Sequence, residues 1–143
     1  EMKKAEPSFT VTPFLEGARG AYEMILMAFE RGDLESIRPF LSDDVEASFG
    51  EAISARDSQG LTVEASFLGI KDLGLEEASF NRDTGMAEIS VRFAGEQTYV
   101  VRNKAGEIVE GGPREVKRQR DVWTFARRMG SPDPNWQLVA TGD

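Results

Sequence analysis

Proton chemistry in this chain has few residue types to draw on. Its 143 residues include no histidine and no cysteine, which excludes disulfides, thiol nucleophiles, Cys/His zinc sites and Ser-His-Asp triads. Carboxylates, lysine, tyrosine and hydroxyls remain. Tyr22, Tyr99 and Asp121 are types able to line a pocket and do acid–base work. No spacing brings them together, and packing in the core and sheet accounts for them more simply. Asp43, Asp44 and Glu46 have the density of a metal cluster, but carboxylates at a helix start complement the helix dipole and need no metal. Asp57 and Glu64 show no ligand spacing. Gly111-Gly112-Pro113 reads as a turn rather than a phosphate loop. The expectation is no catalytic residue, no metal and no cofactor.

One stretch stands apart by charge. "REVKRQRDVWTFARRM" (114–129) holds six basic and two acidic residues, a net +4 within a chain of net −8, so the remainder carries −12. That balance argues against nucleic acid, which needs a broad positive surface. It leaves room for local contact with anionic lipid or an acidic partner. Read with a period of two, Val116, Arg118, Arg120, Val122, Thr124 and Ala126 share one face. Lys117, Gln119, Asp121, Trp123, Phe125 and Arg127 share the other. Arg114, Lys117, Arg118 and Arg120 are expected to form an exposed basic strip, which Arg127 and Arg128 extend. Edge protection is the competing account, because Lys and Arg also discourage strand pairing.

The elements that position these residues follow from periodicity. The length suits one domain with one core, and no run of 18 apolar residues offers a membrane span. Residues 1–11 read as a flexible tail and 12–143 as a single domain. Thr12-Pro13 marks a helix start, with Phe14, Ala18, Tyr22, Ile25 and Phe29 on one face and Gly32 as the stop. Gly17 and Gly20 each cost helix stability, so they are expected to face a closely packed neighbour. Packing within the chain is the first choice and a homo-oligomer contact the second. Asp33 is expected to cap a short helix from Leu34 to Leu41, and Ser42 or Asp43 to start a third helix that ends at Gly60. From Leu61 the period becomes two. Short strands are expected near Val63–Phe67 and Glu76–Asn81, followed by a turn at 81–85. Alternating positions Ala87, Ile89, Val91 and Phe93 come next, then a connection at 103–113, the basic strand, a turn at 131–135 and a last strand at Trp136–Ala140. Three N-terminal helices over a curved antiparallel sheet of about four to five strands is an α+β plan.

"FLEGARGAYEMILMAFERGDLESIRPFLSDDVEASFGEAI" (14–53) and "DVWTFARRMGSPDPNWQLVATGD" (121–143) together resemble the Tim44-like domain family, in the form carried by alphaproteobacterial members. The resemblance implies an NTF2-like cone around a hydrophobic pocket, formed here by Tyr22, Ile25, Phe29, Phe49, Trp123, Phe125 and Trp136. It implies a non-enzymatic scaffold peripheral to an inner membrane, the cytoplasmic face being expected in a bacterium. Mitochondrial relatives tether an import motor to a translocase and contact acidic lipid such as cardiolipin. The implied partners are therefore anionic phospholipid or a membrane protein. Bacterial members typically carry an N-terminal membrane segment, expected to lie outside this chain. Two other classes stay open. One is an NTF2-like small-molecule enzyme, which a buried carboxylate beside a tyrosine in the pocket would favour. The other is a pure protein–protein adaptor using the glycine edge of the first helix.

Overall fold

The computed structural model describes residues 11–130, 132 and 136–141. Helix α1 spans Val11–Arg31 and α2 spans Asp43–Ser58, with a single 3-10 turn, Arg38–Phe40, between them. Four strands follow: β1 (Thr62–Phe80), β2 (Met86–Arg102), β3 (Ile108–Arg128) and β4 (Gln137–Ala140). They form one antiparallel sheet in sequence order. The plan is α+β, as expected, with two α-helices instead of three. The segment Leu34–Leu41 makes only turns and the 3-10 piece, because Pro39 cannot donate to a helical ladder. Asp33 caps nothing longer than a turn, accepting a bond from the Ser36 N–H at 3.3 Å.

The helix boundaries have local causes. Helix α1 is described from Val11, so the start expected at Thr12-Pro13 falls inside it, and the rest of the expected tail lies outside the described residues. It ends where Gly32 takes φ +77° and the Asp33 N–H reaches back to the Ala28 carbonyl at 2.8 Å, an arrangement glycine permits without a Cβ clash. Ser42 starts α2 by accepting the Val45 N–H at 3.3 Å. Glu46 turns instead to Arg38, 3.0 Å away, and Asp43, Asp44 and Glu46 sit in the first turn, where the helix dipole favours them.

The strands are longer than the sequence pattern indicates. The two short segments expected at 63–67 and 76–81 are one 19-residue strand. Register shifts between Phe67 and Gly69, Ile70 and Asp72, and Leu75 and Glu77 break its alternation, which is why one strand reads as two. Residues 108–113, expected in a connection, already pair with β2. The turn at 81–85 forms as expected, closed by the Asn81 N–H to the Met86 carbonyl at 2.8 Å. The segment 131–135 lies outside the described residues except for Pro132. β4 pairs with β3 over Thr124–Ala126, so Trp123 and Trp136 belong to neighbouring antiparallel segments.

Both helices lie on one face of the sheet. Ala87, Ile89, Val91 and Phe93 are buried on β2, opposite Trp123 and Phe125 of β3. Tyr22, fully buried, stacks on Phe93 with ring centroids 4.2 Å apart and meets Trp123 at 4.6 Å. Phe14, two turns earlier on α1, packs on Phe125 and Trp136 at 6.2 and 4.8 Å. Arg56 of α2 ties off the C-terminus of α1. It donates to the Phe29 and Glu30 carbonyls at 2.8 and 3.3 Å and lies over the Phe29 ring.

Gly17 and Gly20 depart from expectation. Both are exposed, and a Cβ added to either meets no atom within 4 Å. Nothing described in the chain packs on this edge. Gly20→Ala should therefore gain helix propensity without a clash and raise stability by about 0.5–1 kcal/mol. The midpoint of urea unfolding reads this directly; a lower midpoint would mean that something covers the edge.

Candidate functional site

Alternation along β3 decides where its charges go. Lys117 is opposite Gln97, Asp121 opposite Phe93 and Trp123 opposite Val91, so odd-numbered side chains from 117 onward point to the helix side. Lys117 reaches over the Tyr99 ring, its Nζ 4.7 Å from the centroid. Even-numbered side chains point away. Arg118 donates to Glu96 at 3.2 Å, and Lys71 meets the same carboxylate at 3.5 Å. Arg114 lies in the irregular stretch between Gly112 and Val116, where the β2–β3 register shifts.

The expected strip is thus split. Arg114, Lys117, Arg118, Arg120 and Arg128 are exposed, but Lys117 faces the helix side. Arg127 does not belong to an exposed strip. It is 8% exposed, on the inner face, with its guanidinium 3.7 Å from the Met129 sulfur.

The expected pocket residues also divide. Ile25, Phe29, Phe49 and Trp123 line a cavity of about 160 Å³ with Leu26, at the junction of α1, α2 and β3. Tyr22 and Phe125 are instead packed solid into the core, and Trp136 packs against Phe14 at the other end of α1. The rest of the lining is polar: Glu30, Gln119, Asp121 and Thr141.

Tyr22 and Asp121, 99 residues apart, come together in a 2.6 Å hydrogen bond from the phenol to Oδ2. The same oxygen accepts Gln119 Nε2 at 2.9 Å, and Gln119 Oε1 receives Gln97 Nε2 at 3.4 Å. Tyr99, the third member of the candidate acid–base set, stands apart beneath Lys117. Glu30, Gln119 and Thr141 escape sequence reasoning. The signal for Asp121 was present: it shares a strand face with Trp123 and Phe125, where an acid needs a buried partner.

Electrostatics at the site are set first by burial. Desolvation pushes Tyr22 far above the ordinary phenol value, reinforced by its hydrogen bond to Asp121 and the charge of that carboxylate. The phenol keeps its proton, which suits a structural donor and not a proton shuttle. Burial also raises Glu30, and the charges of Lys117 and Arg56 pull it back only in part. Among the described residues no group of three or more acidic side chains is placed to hold a metal ion.

Comparison with known proteins gives the family and the fold. The sequence profile of the Tim44-like domain matches residues 1–143. The mitochondrial import inner membrane translocase subunit TIM44-1 of Arabidopsis thaliana is 24% identical over 125 residues, covering 87% of this chain and 26% of that protein. The subunit TIM44 of Homo sapiens is 24% identical over 142 residues, covering 97% of this chain and 31% of that protein. The chain thus spans less than a third of the length of these curated relatives. Among solved structures, the intermembrane space region of the chloroplast protein ARC6 superposes with a TM-score of 0.62 at 11% identity, covering 94% of this chain and 96% of that one. A periplasmic fragment of TraM gives 0.51 at 14% identity, covering 93% and 97%. At such identities these likenesses show the fold alone.

The raised Glu30 carboxyl has a consequence for stability. The folded state holds this proton more tightly than the unfolded chain does. The resulting stabilisation is full below the ordinary glutamate value of about 4.3 and is lost as pH rises through the folded-state value. At neutral pH the ionised Glu30 is a liability. Glu30→Gln should therefore melt higher than wild type at pH 7, and the gap should shrink toward pH 4. Calorimetric melting at both pH values checks the sign.

Proposed function

Because this chain belongs to the Tim44-like domain family, we propose that it is a non-enzymatic scaffold that works at the surface of an inner membrane and holds a membrane-protein partner there. The observation that carries this reading is the family match over the whole chain, together with curated relatives that are subunits of an inner-membrane translocase. No helix among the described residues is long and apolar enough to cross a membrane, so the reading is one of peripheral contact. Two helices on one face of a long antiparallel sheet support an NTF2-like arrangement. The bonded, high-pKa Tyr22 supports a structural role for the pair that otherwise favours an enzyme.

Contact with the membrane runs, in this proposal, through the exposed basic residues Arg114, Arg118, Arg120 and Arg128, with Lys117 contributing from the helix side. Each basic group near an anionic surface is worth roughly 1 kcal/mol. The body of the chain is acidic and is repelled by the same surface, so attraction is local. The acceptor is anionic phospholipid of the cardiolipin kind, met on the cytoplasmic face. The exposed Gly17 and Gly20 favour a second reading, in which α1 offers this edge to another helix, of a partner or of a second copy.

Vesicle flotation tests the lipid contact. Binding should require anionic lipid and weaken from low to high salt, because the Debye length is only about 8 Å at physiological ionic strength. The triple change Arg114→Glu, Arg118→Glu and Arg120→Glu should abolish binding and preserve the circular dichroism spectrum, whereas Arg127→Gln should lower stability. Equal flotation of the wild type and the triple variant on cardiolipin vesicles would remove the basic face from the account.

A further inference from the structure

The cavity at the junction of α1, α2 and β3 has a lining that a membrane-facing scaffold does not call for. At about 160 Å³ it is close to the size of an engineered cavity that takes one benzene ring, about 150 Å³. It is well below the roughly 300–1,000 Å³ of sites for larger ligands. A lipid acyl chain is too large; one side-chain-sized group fits.

Its polar lining is rich in acceptors, the carboxylates of Glu30 and Asp121 above all. Tyr22 and Gln119 both donate to one oxygen of Asp121, Oδ2, at 2.6 and 2.9 Å. That uses one of the two Gln119 N–H groups and turns its oxygen to Gln97 Nε2. One Gln97 N–H is thereby engaged. The Gln97 oxygen, in a side chain 1% exposed, accepts no hydrogen bond among the described residues. A directed run of four side chains therefore opens on the cavity at Asp121 and Gln119 and ends in an unmet acceptor. Glu30, on α1, adds a second carboxylate to the lining. Lys117 and Arg56 act on Glu30 from outside the lining, and burial still outweighs them. The lining also supplies aromatic rings: Phe29 and Phe49, 4.8 Å apart, and Trp123. Acceptors with negative charge beside aromatic rings suit an organic cation, which gains from both.

We propose that this cavity binds one alkylammonium group, its hydrocarbon stem against Ile25, Phe29 and Phe49 and its nitrogen donating to Asp121 and Glu30. The group is either a small free amine or the end of a lysine side chain on a docked partner. This goes beyond the scaffold reading and does not depend on which surface meets a membrane.

The test uses n-butylammonium chloride as probe and n-butanol as its uncharged counterpart, followed by the indole N–H resonance of Trp123. The ammonium should shift that resonance saturably. Butanol should bind about tenfold more weakly, one charge-assisted contact being worth about that factor. Glu30→Gln, which keeps the fold, should weaken the ammonium by a similar factor and leave butanol unchanged. No saturable shift up to about 100 mM, or butanol binding as well as the ammonium, overturns the proposal. The source is then read with a short lysine-containing peptide. Tighter binding than n-butylammonium that is lost on Nε-acetylation assigns the group to a partner's lysine; binding no tighter than the free amine assigns it to a small molecule.

Discussion

A phenol buried to zero exposure must donate its hydrogen bond to something, and in this fold that requirement fixes how the helix meets the sheet. Tyr22 sits midway along α1, stacked on Phe93 and bonded to Asp121. An unpaired buried hydroxyl costs about 1–3 kcal/mol, so sliding or rotating the helix by one residue carries a penalty beyond lost packing. With Tyr22 fixed, the helical repeat places the rest. Phe14 falls on Phe125 and Trp136, where the core is filled. Ile25 and Phe29, one and two turns onward, fall beside the cavity. One side chain thus divides α1 into a packed end and an open end.

The open end is held by a different device. Arg56 of α2 bonds the last carbonyls of α1 and covers the Phe29 ring. A cation at a helix C-terminus satisfies acceptors that have no partner within the helix. The same cation lies close enough to Glu30 to ease its burial, as does Lys117. Charge at the cavity mouth is therefore balanced across three elements, α1, α2 and β3. On the far face of the sheet, Arg92 meets Asp72 and Glu76 at 2.9 and 3.1 Å, and Arg118 meets Glu96. Much of the positive charge of this acidic chain is thereby locally matched, and a cluster in sequence becomes a sparser pattern in space.

The sequence was most legible where a period ran unbroken. The face of α1 from Phe14 to Phe29 and the alternation from Ala87 to Phe93 appear in the structure as read, and so does the 81–85 turn. It was least legible where two rules competed. Leu34–Leu41 has helix-forming residues, but one proline limits it to a 3-10 turn. β1 lost its period at each register shift and looked like two strands. Residues 108–113 look like a loop because glycines and a proline mask a strand. Gly111 takes φ +74°, where an added Cβ would run into the Tyr99 carbonyl. The aromatic half of the cavity, Phe29, Phe49 and Trp123, is among the positions that the family resemblance implies. Of its polar half only Asp121 is singled out in the sequence, as a residue type able to line a pocket; Glu30 reads as part of a solvated helix stripe, and Gln119 and Thr141 carry no signal. That these residues share one lining depends on contacts distant in sequence, such as Tyr22 with Asp121, 99 residues apart. The assignment of Arg127 to the surface failed for a related reason: its neighbour Arg128 is exposed, and alternation sends the two to opposite faces.

The three register shifts in β1 have a further meaning for how this molecule keeps company. A 19-residue strand at the border of a sheet offers N–H and C=O groups along its outer side. A regular border of that length would be a template for any extended chain, including another copy. Each shift alters the spacing of those groups and turns the strand locally, so a straight visiting strand finds matching partners for only a few residues before it loses step. Irregularity here works as a fence, keeping a sheet of such long strands from growing past its own boundary.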